Sequence, residues 1–239
     1  MALSGVSAIS FDLDDTLWPF RTVVERAEAT LHSWLLEQAP KVAALLSTPQ
    51  ALGRLRDDYE RSQPGLAGDF RALRIGSIRL ALEMSSEDVS LTDEAYRIFV
   101  AARHEVQFYD DVMPALQWLS ARFPLIAVTN GNADLRMTGG SEFLRLTLSA
   151  SSLGIAKPAA GIFHAAARAA GVAPAEMLHV GDDYDLDVVG ALDAGLQAAW
   201  LRRDEHNVAV PSQPIAQGRH LVINDLSMLC LAIGGPDKL

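Results

Sequence analysis

The chain has one cysteine, Cys230, so no intrachain disulfide holds it together and nothing points to an oxidising compartment. Lysine is almost as scarce: Lys41, Lys157 and Lys238 are the only lysines among 20 basic residues, the rest being arginine. No apolar run approaches the roughly 18 residues that a membrane-spanning helix needs. The opening stretch MALSGVSAISFDLDD lacks the basic and long apolar segments of a signal peptide. Positive charge is also in deficit. At a formal net charge of −10 the chain has no electrostatic grip on nucleic acid or an anionic membrane. Neither GxGxxG nor GxxxxGK[ST] occurs, so a dinucleotide fingerprint and a P-loop are unsupported. The expectation is a cytoplasmic protein that handles a small molecule, not nucleic acid or membrane.

What is present is a hydrophobic fraction of 49% spread over 239 residues, enough to build a sizeable core. Short apolar runs occur at 6–11 (VSAISF), 125–128 (LIAV), 177–180 (MLHV), 196–201 (LQAAWL) and 220–223 (HLVI). Helical periodicity follows at 112–122, 159–170 and 185–194. Alternating strand and helix predicts an α/β fold, a Rossmann-like parallel sheet with helices on both faces. In such sheets ligands bind beyond the carboxyl ends of the strands. The clusters DLDDT, TNGN and GDDYD fall at those ends.

Residues 18–106 read differently. They lack a convincing strand and show helical periods at 21–37, 50–61, 70–84 and 92–106. Breaks fall at Pro40, Pro49, Pro64-Gly65 and SSED (85–88), where Ser85 or Ser86 is the expected helix cap. The predicted organisation is an α/β core of 1–17 and 107–239 interrupted by an α-helical module of 18–106. The tail after about residue 234 reads as frayed.

The strongest chemical signal is Asp12-Leu13-Asp14-Asp15-Thr16 at the end of an apolar strand. Alternation in an extended segment sends Asp12 and Asp14 to one side, and two like charges in a buried place need a cation or a proton. An Asp-rich turn is the plainer alternative. A second acidic cluster, Asp182-Asp183-Tyr184-Asp185-Leu186-Asp187, also follows an apolar strand. Its spacing resembles a calcium loop, but Val188 stands where that loop needs Gly and Ala194 where it needs Glu. An EF-hand is excluded. The cluster reads either as an acidic helix start or, joined to the first, as half of an oxygen-ligand site for Mg2+. Thr129-Asn130-Gly131 offers a hydroxyl, an amide and permissive backbone N–H groups, the elements of a phosphate cradle, although Asn-Gly is also a common hairpin turn. Lys157, just before a predicted helix, is the only lysine of the core ahead of the tail.

Taken in order, DLDDT, TNG, Lys157-Pro158 and the GD-x4-D of 181–187 resemble the four motifs of the haloacid dehalogenase superfamily in its phosphatase branch. The resemblance spans nearly the whole chain, with 18–106 in the place of an α-helical type 1 cap. TNGNA and LHVGDD are more narrowly similar to bacterial phosphatases acting on flavin mononucleotide and on ribitylaminouracil phosphate. The resemblance implies that Asp12 attacks phosphorus to form an aspartyl-phosphate and that Asp14 protonates the leaving alcohol and then activates water. It implies Mg2+ on the Asp12 carboxylate, the Asp14 backbone carbonyl and Asp182, with Asp183 and Asp187 as auxiliary ligands. Thr129, Asn130, Gly131 and Lys157 would bind the transferring phosphoryl group. The chain departs from relatives around Lys157, where a Glu upstream and Asp-Pro after the Lys-Pro pair are common and Ser151, Ser152, Ala159 and Ala160 stand instead, and at Leu186, where Asn is common.

Trp18, Phe20 and Arg21 follow the first motif and either line a substrate entrance or pack the junction between the two parts. Arg71, Arg74 and Arg79 of the helical module either reach the substrate or remain solvated. His179, inside an apolar strand, reads as a satisfied structural histidine. His32, His104, His164, His206 and His220 show no metal-ligand spacing. Two rivals share the fold. A 2-haloacid dehalogenase would lack the acid at the Asp14 position and need no metal. A non-catalytic binding protein would lack the nucleophile or the acid, and both are here.

Overall fold

The structure, a computed structural model, describes residues 3, 5–203 and 220–235. His206, Lys238 and the last four residues of the expected frayed tail lie outside them. The chain divides into two compact units, Met1–Pro19 with Gln107–Leu239, and Phe20–Val106.

The first unit carries a six-stranded sheet, all parallel: β1 (Ala8–Phe11), β2 (Leu125–Thr129), β3 (Leu146–Ser149), β4 (Met177–Gly181), β5 (Gln197–Leu201) and β6 (His220–Ile223). The spatial order is β3-β2-β1-β4-β5-β6. This is the Rossmann-type order, in which successive strands leave β1 in opposite directions and open a crevice beyond the carboxyl ends of β1 and β4. Strands β1, β2 and β4 are buried at every residue, which is why each reads in the sequence as a continuous apolar run. The edge strand β3 does not. Its LTLS is exposed or half-buried, a short alternating pattern that sequence periodicity passes over.

The helical unit holds α1 (Phe20–Gln38), α2 (Pro40–Leu45), α3 (Pro49–Ser62), α4 (Phe70–Met84) and α5 (Thr92–His104). Leu31, Leu35, Leu52, Ile78, Leu82 and Phe99 form its core. Pro40 and Pro49, read as breaks, each open a helix at its first position, where the missing N–H has no intrahelical partner to lose. The expectation for Ser85 needs correction. Its hydroxyl donates to the Ala81 and Leu82 carbonyls at the end of α4, while Asp88 caps the following turn.

Returning to the α/β unit, its remaining helices are α6 (Val112–Ser120), α7 (Leu135–Thr138), α8 (Ala150–Leu153), α9 (Ala160–Ala170), α10 (Gly190–Asp193) and α11 (Leu226–Ala232). Ile162, Phe163, Ala166 and Ala167 of α9 pack with Ile126, Val128, Leu196 and Ala198 in one apolar cluster. The segment read as helical from 185 begins as a π-helical turn, Tyr184–Val189. No helix among the described residues is long and apolar enough to cross a membrane.

Candidate active site

The two acidic clusters stand side by side because β1 and β4 are neighbours. Phe11 pairs with Val180, and the Asp12 N–H donates to the Val180 carbonyl at 2.9 Å. Each strand is thus followed at once by an aspartate, Asp12 or Asp182, delivered to the same rim. Past Asp12 the chain turns tightly. Asp15 takes the left-handed conformation, φ 59°, which Asp tolerates better than most residues, and its N–H donates to the Trp18 carbonyl at 2.8 Å. The turn brings Thr16 back over the site. Its hydroxyl lies 2.9 Å from Asp182 Oδ1 and 3.3 Å from Asp12 Oδ2, so it ties the two clusters together.

Lys157 is the cation of this rim. Its side chain is 3% exposed, and Nζ sits 2.5 Å from Asp12 Oδ1 and 2.6 Å from Asp187 Oδ1. Asn130 holds the lysine in place. Its amide oxygen accepts the Lys157 N–H at 2.8 Å and its amide nitrogen donates to the Lys157 carbonyl at 3.1 Å. Both ends of the Asn130 side chain therefore engage Lys157 backbone. Thr129 Oγ1 accepts the Gly131 N–H at 2.9 Å. A Cβ at Gly131 would lie 2.8 Å from Asp14 Oδ2 and 3.2 Å from Thr129 Oγ1. That close approach sets Asp14 against the Thr129–Gly131 turn, where any side chain at 131 would push on its carboxylate.

Asp12, Asp182 and Asp187 place carboxylate oxygens within 4.8 Å of one another. Three acids face one ammonium, and the electrostatics follow from that imbalance. Burial pushes the Asp12 carboxyl well above its usual range, with Asp187 and Asp182 adding to the rise and Lys157 opposing it. Burial and the Asp187 charge push Asp182 up to about 7. Burial acts the same way on Asp187, but Lys157 and His179 outweigh it and hold that carboxyl below the ordinary range. Lys157 is driven down by burial and up, more strongly, by Asp12 and Asp187, and it stays charged. Asp12 and Asp182 are the pair whose protons a cation would displace. Hard oxygen donors with excess negative charge suit Mg2+, so the residues present fit that ion.

The remaining expected site residues divide. Asp183 is spent locally: its Oδ1 accepts the Asp185 and Leu186 N–H groups and caps the π-helical turn, outside the three-carboxylate group. Trp18 corrects the entrance expectation. It is fully buried, packs edge-on against Phe108 at 5.4 Å between ring centroids, and donates its indole N–H to Asp14 Oδ1 at 2.8 Å. Arg74 is likewise buried, paired with Glu28 at 3.2 Å and stacked 4.1 Å from the Phe99 ring centroid, so it is committed inside the helical unit. Arg71 lies 5.6 Å over the Tyr96 ring, Arg21 pairs with Glu25 and Arg79 with Glu83 on exposed helix faces, and Phe20 is partly exposed beneath Arg103. The sequence reading missed the roles of Thr16, which is simply the last letter of DLDDT, and of Trp18, four residues from Asp14.

The chain is similar to known proteins in sequence and in fold. The family model of haloacid dehalogenase-like hydrolases matches residues 6–195. Among curated proteins, the 5-amino-6-(5-phospho-D-ribitylamino)uracil phosphatase YigB of Escherichia coli is 33% identical over 84% of this chain and 85% of its own length. The glyceraldehyde 3-phosphate phosphatase of Methanopyrus kandleri is 30% identical over 86% and 88%. Among solved structures, a 2-haloacid dehalogenase from Pseudomonas syringae is 34% identical, with a TM-score of 0.79 over 95% of this chain and 98% of that one. The chain belongs to the haloacid dehalogenase-like hydrolase family. It is an enzyme, a hydrolase of that family.

Proposed function

We propose that this enzyme releases inorganic phosphate from a small phosphorylated metabolite by way of an aspartyl-phosphate on Asp12. The ribitylaminouracil and glyceraldehyde 3-phosphate phosphatases and a phosphoserine phosphatase of Thermus thermophilus are all named for phosphate release, and the enzyme is a phosphatase of their kind. The observation that supports this reading is that Asp12 pairs with the buried Lys157 at the rim where β1 and β4 end, while Asp14, two residues on, lies against the Thr129–Gly131 turn. An Asp12 oxygen attacks phosphorus as the bond from phosphorus to the leaving oxygen breaks. Asp14 gives its proton to that oxygen and frees the alcohol. Water then attacks phosphorus and passes a proton to Asp14 as the bond from phosphorus to the Asp12 oxygen breaks, releasing inorganic phosphate and restoring the Asp12 carboxylate.

Lys157 aligns Asp12 and offsets the charge gathering between nucleophile and phosphoryl group. Thr129 and the Gly131 backbone face that group, while Asn130 works through Lys157. Asp12, Asp182 and the Asp14 backbone carbonyl would hold Mg2+, which when bound supplies positive charge against the phosphoryl oxygens. A flavin-pathway phosphate is the first candidate substrate, supported by the similarity to the ribitylaminouracil phosphatase. Sugar and nucleotide phosphates come next.

The similarity to a 2-haloacid dehalogenase favours a second reading, halide displacement from a 2-haloacid by the same Asp12. Asp14 and the second acidic cluster weigh against it, because that chemistry needs neither a proton donor to the leaving group nor a metal. The purified enzyme should release phosphate from p-nitrophenyl phosphate with Mg2+ and stop with EDTA. Metal-independent chloride release from 2-chloropropionate, without phosphatase activity, would establish the rival.

A further inference from the structure

Beneath the reacting groups a line of buried polar atoms runs into the sheet, and the chemistry above makes no use of it. Ser10 and His179 are cross-strand partners on β1 and β4, both fully buried. Ser10 Oγ is 2.9 Å from His179 Nδ1, and His179 Nε2 is 3.1 Å from Asp187 Oδ1. That same Asp187 oxygen accepts Lys157 at 2.6 Å, and Lys157 reaches Asp12 at 2.5 Å. A carboxylate only accepts, so Nε2 carries the ring proton, and Nδ1 of a neutral ring accepts from the Ser10 hydroxyl. The ring itself is fixed by Phe163, edge-on at 5.0 Å.

We propose that Ser10 and His179 are positioning residues that hold Asp187 as the permanent anchor of Lys157. The role rests on the reading of Asp12 and Lys157 given under Proposed function. Lys157 has two carboxylate partners, and they fare differently in turnover. When an Asp12 oxygen is esterified to phosphorus that carboxylate loses its anionic charge, and Asp187 becomes the fixed counter-charge of the lysine. Asp187 must then stay where it is. Its Oδ2 is held by the Asp183 N–H at 3.1 Å and its Oδ1 by His179 and Lys157. Gly181 makes the position accessible, since a Cβ there would lie 2.2 Å from Asp187 Cγ. Without His179, one lone pair of Oδ1 is released and the carboxylate is free to turn, carrying the ammonium with it.

The test combines kinetics on p-nitrophenyl phosphate at saturating Mg2+ with the 15N shifts of the His179 ring in the resting enzyme. His179→Leu should lower kcat by about 10- to 100-fold, the range for lost supporting hydrogen bonds around a polar site, with KM within about threefold. His179→Gln, which keeps an N–H donor, should recover part of the loss. Ser10→Ala should cost less, and Ser10→Ala with His179→Leu should be no worse than His179→Leu alone, because Ser10 acts through the ring. The 15N spectrum should show a protonated Nε2. A folded His179→Leu enzyme with kcat within about twofold of wild type, losses that multiply in the double variant, or an unprotonated Nε2 would each overturn the role. Should His179→Leu not fold, Ser10→Ala and the 15N spectrum still decide. Asp12→Asn separates the two levels: if it is inactive while His179→Leu is fully active, only the positioning role falls, and if it too is active, the reading of Asp12 falls.

Discussion

Each unit of the molecule buries an ion pair, and the two pairs sit in opposite electrostatic circumstances. In the helical unit Glu28 and Arg74 meet at 3.2 Å with side chains 9% and 7% exposed. One acid meets one base, with Arg56 and Asp57 acting on both as a second, balanced pair nearby. The guanidinium lies over Phe99, and Gly53 leaves the space the carboxylate fills, since a Cβ there would be 2.7 Å from Glu28 Oε1. Burial pushes Glu28 up and Arg74 down, and each opposes the shift of the other. The charge balances. In the α/β unit one ammonium answers three carboxylates, two of which are pushed upward. Burial of charge is therefore common to both units and marks neither as the place of chemistry. Unbalanced burial does, because a group held away from its preferred protonation state is ready to take up a cation or pass a proton.

Breaking each pair should give opposite phenotypes. The largest effect belongs to Asp12→Asn. It removes the nucleophile and should cut kcat by at least about 10³-fold while relieving carboxylate repulsion, so the melting temperature should hold or rise. Turnover at the wild-type rate would remove Asp12 from the chemistry. Next comes Arg74→Met, which leaves the buried Glu28 without its hydrogen-bonded partner and should cost about 3–5 kcal/mol in urea unfolding, with kcat and KM unchanged for the folded enzyme. A raised KM with undiminished stability would return Arg74 to substrate recognition.

The smallest effect is a pH dependence of metal binding. Asp182 titrates near 3.8 when unfolded and is pushed up to about 7 in the fold. Between those values the metal-free folded state binds more protons than the unfolded state, so the stability contributed by Asp182 is full below about 3.8 and is lost as pH rises through about 7. Mg2+ needs the carboxylate, and its binding should release a proton below about pH 7 and little above it. The gain in melting temperature on adding Mg2+ should accordingly grow as pH rises through about 7. A gain independent of pH would show that Asp182 does not titrate on the metal.

The two units also differ in how much of them could be read from residues alone. Strands β1, β2 and β4 are buried on both faces, so their apolar runs and the polar residues that end them are visible as text, and with them Asp12, Thr129 and Asp182. The edge strand β3 has no such run. Helix starts at Pro40 and Pro49 look like breaks because proline serves both purposes. Arg71, Arg74 and Arg79 are indistinguishable by type, although α4 turns only Arg74 among them into the core. Trp18 reads as apolar surface or filler, and its bond to Asp14 depends on the turn at Asp15. The partners Ser10 and His179 lie 169 residues apart, and nothing local to either announces the other.

The central claim is the covalent role of Asp12, and it can be tested by chemical trapping. The enzyme turning over p-nitrophenyl phosphate with Mg2+ is quenched in acid, reduced with borohydride, which converts an aspartyl-phosphate to homoserine, and mapped by peptide mass spectrometry. The expected result is homoserine at Asp12, absent without substrate and in Asp12→Asn. Steady phosphate release with Asp12 unmodified at every quench time would contradict it.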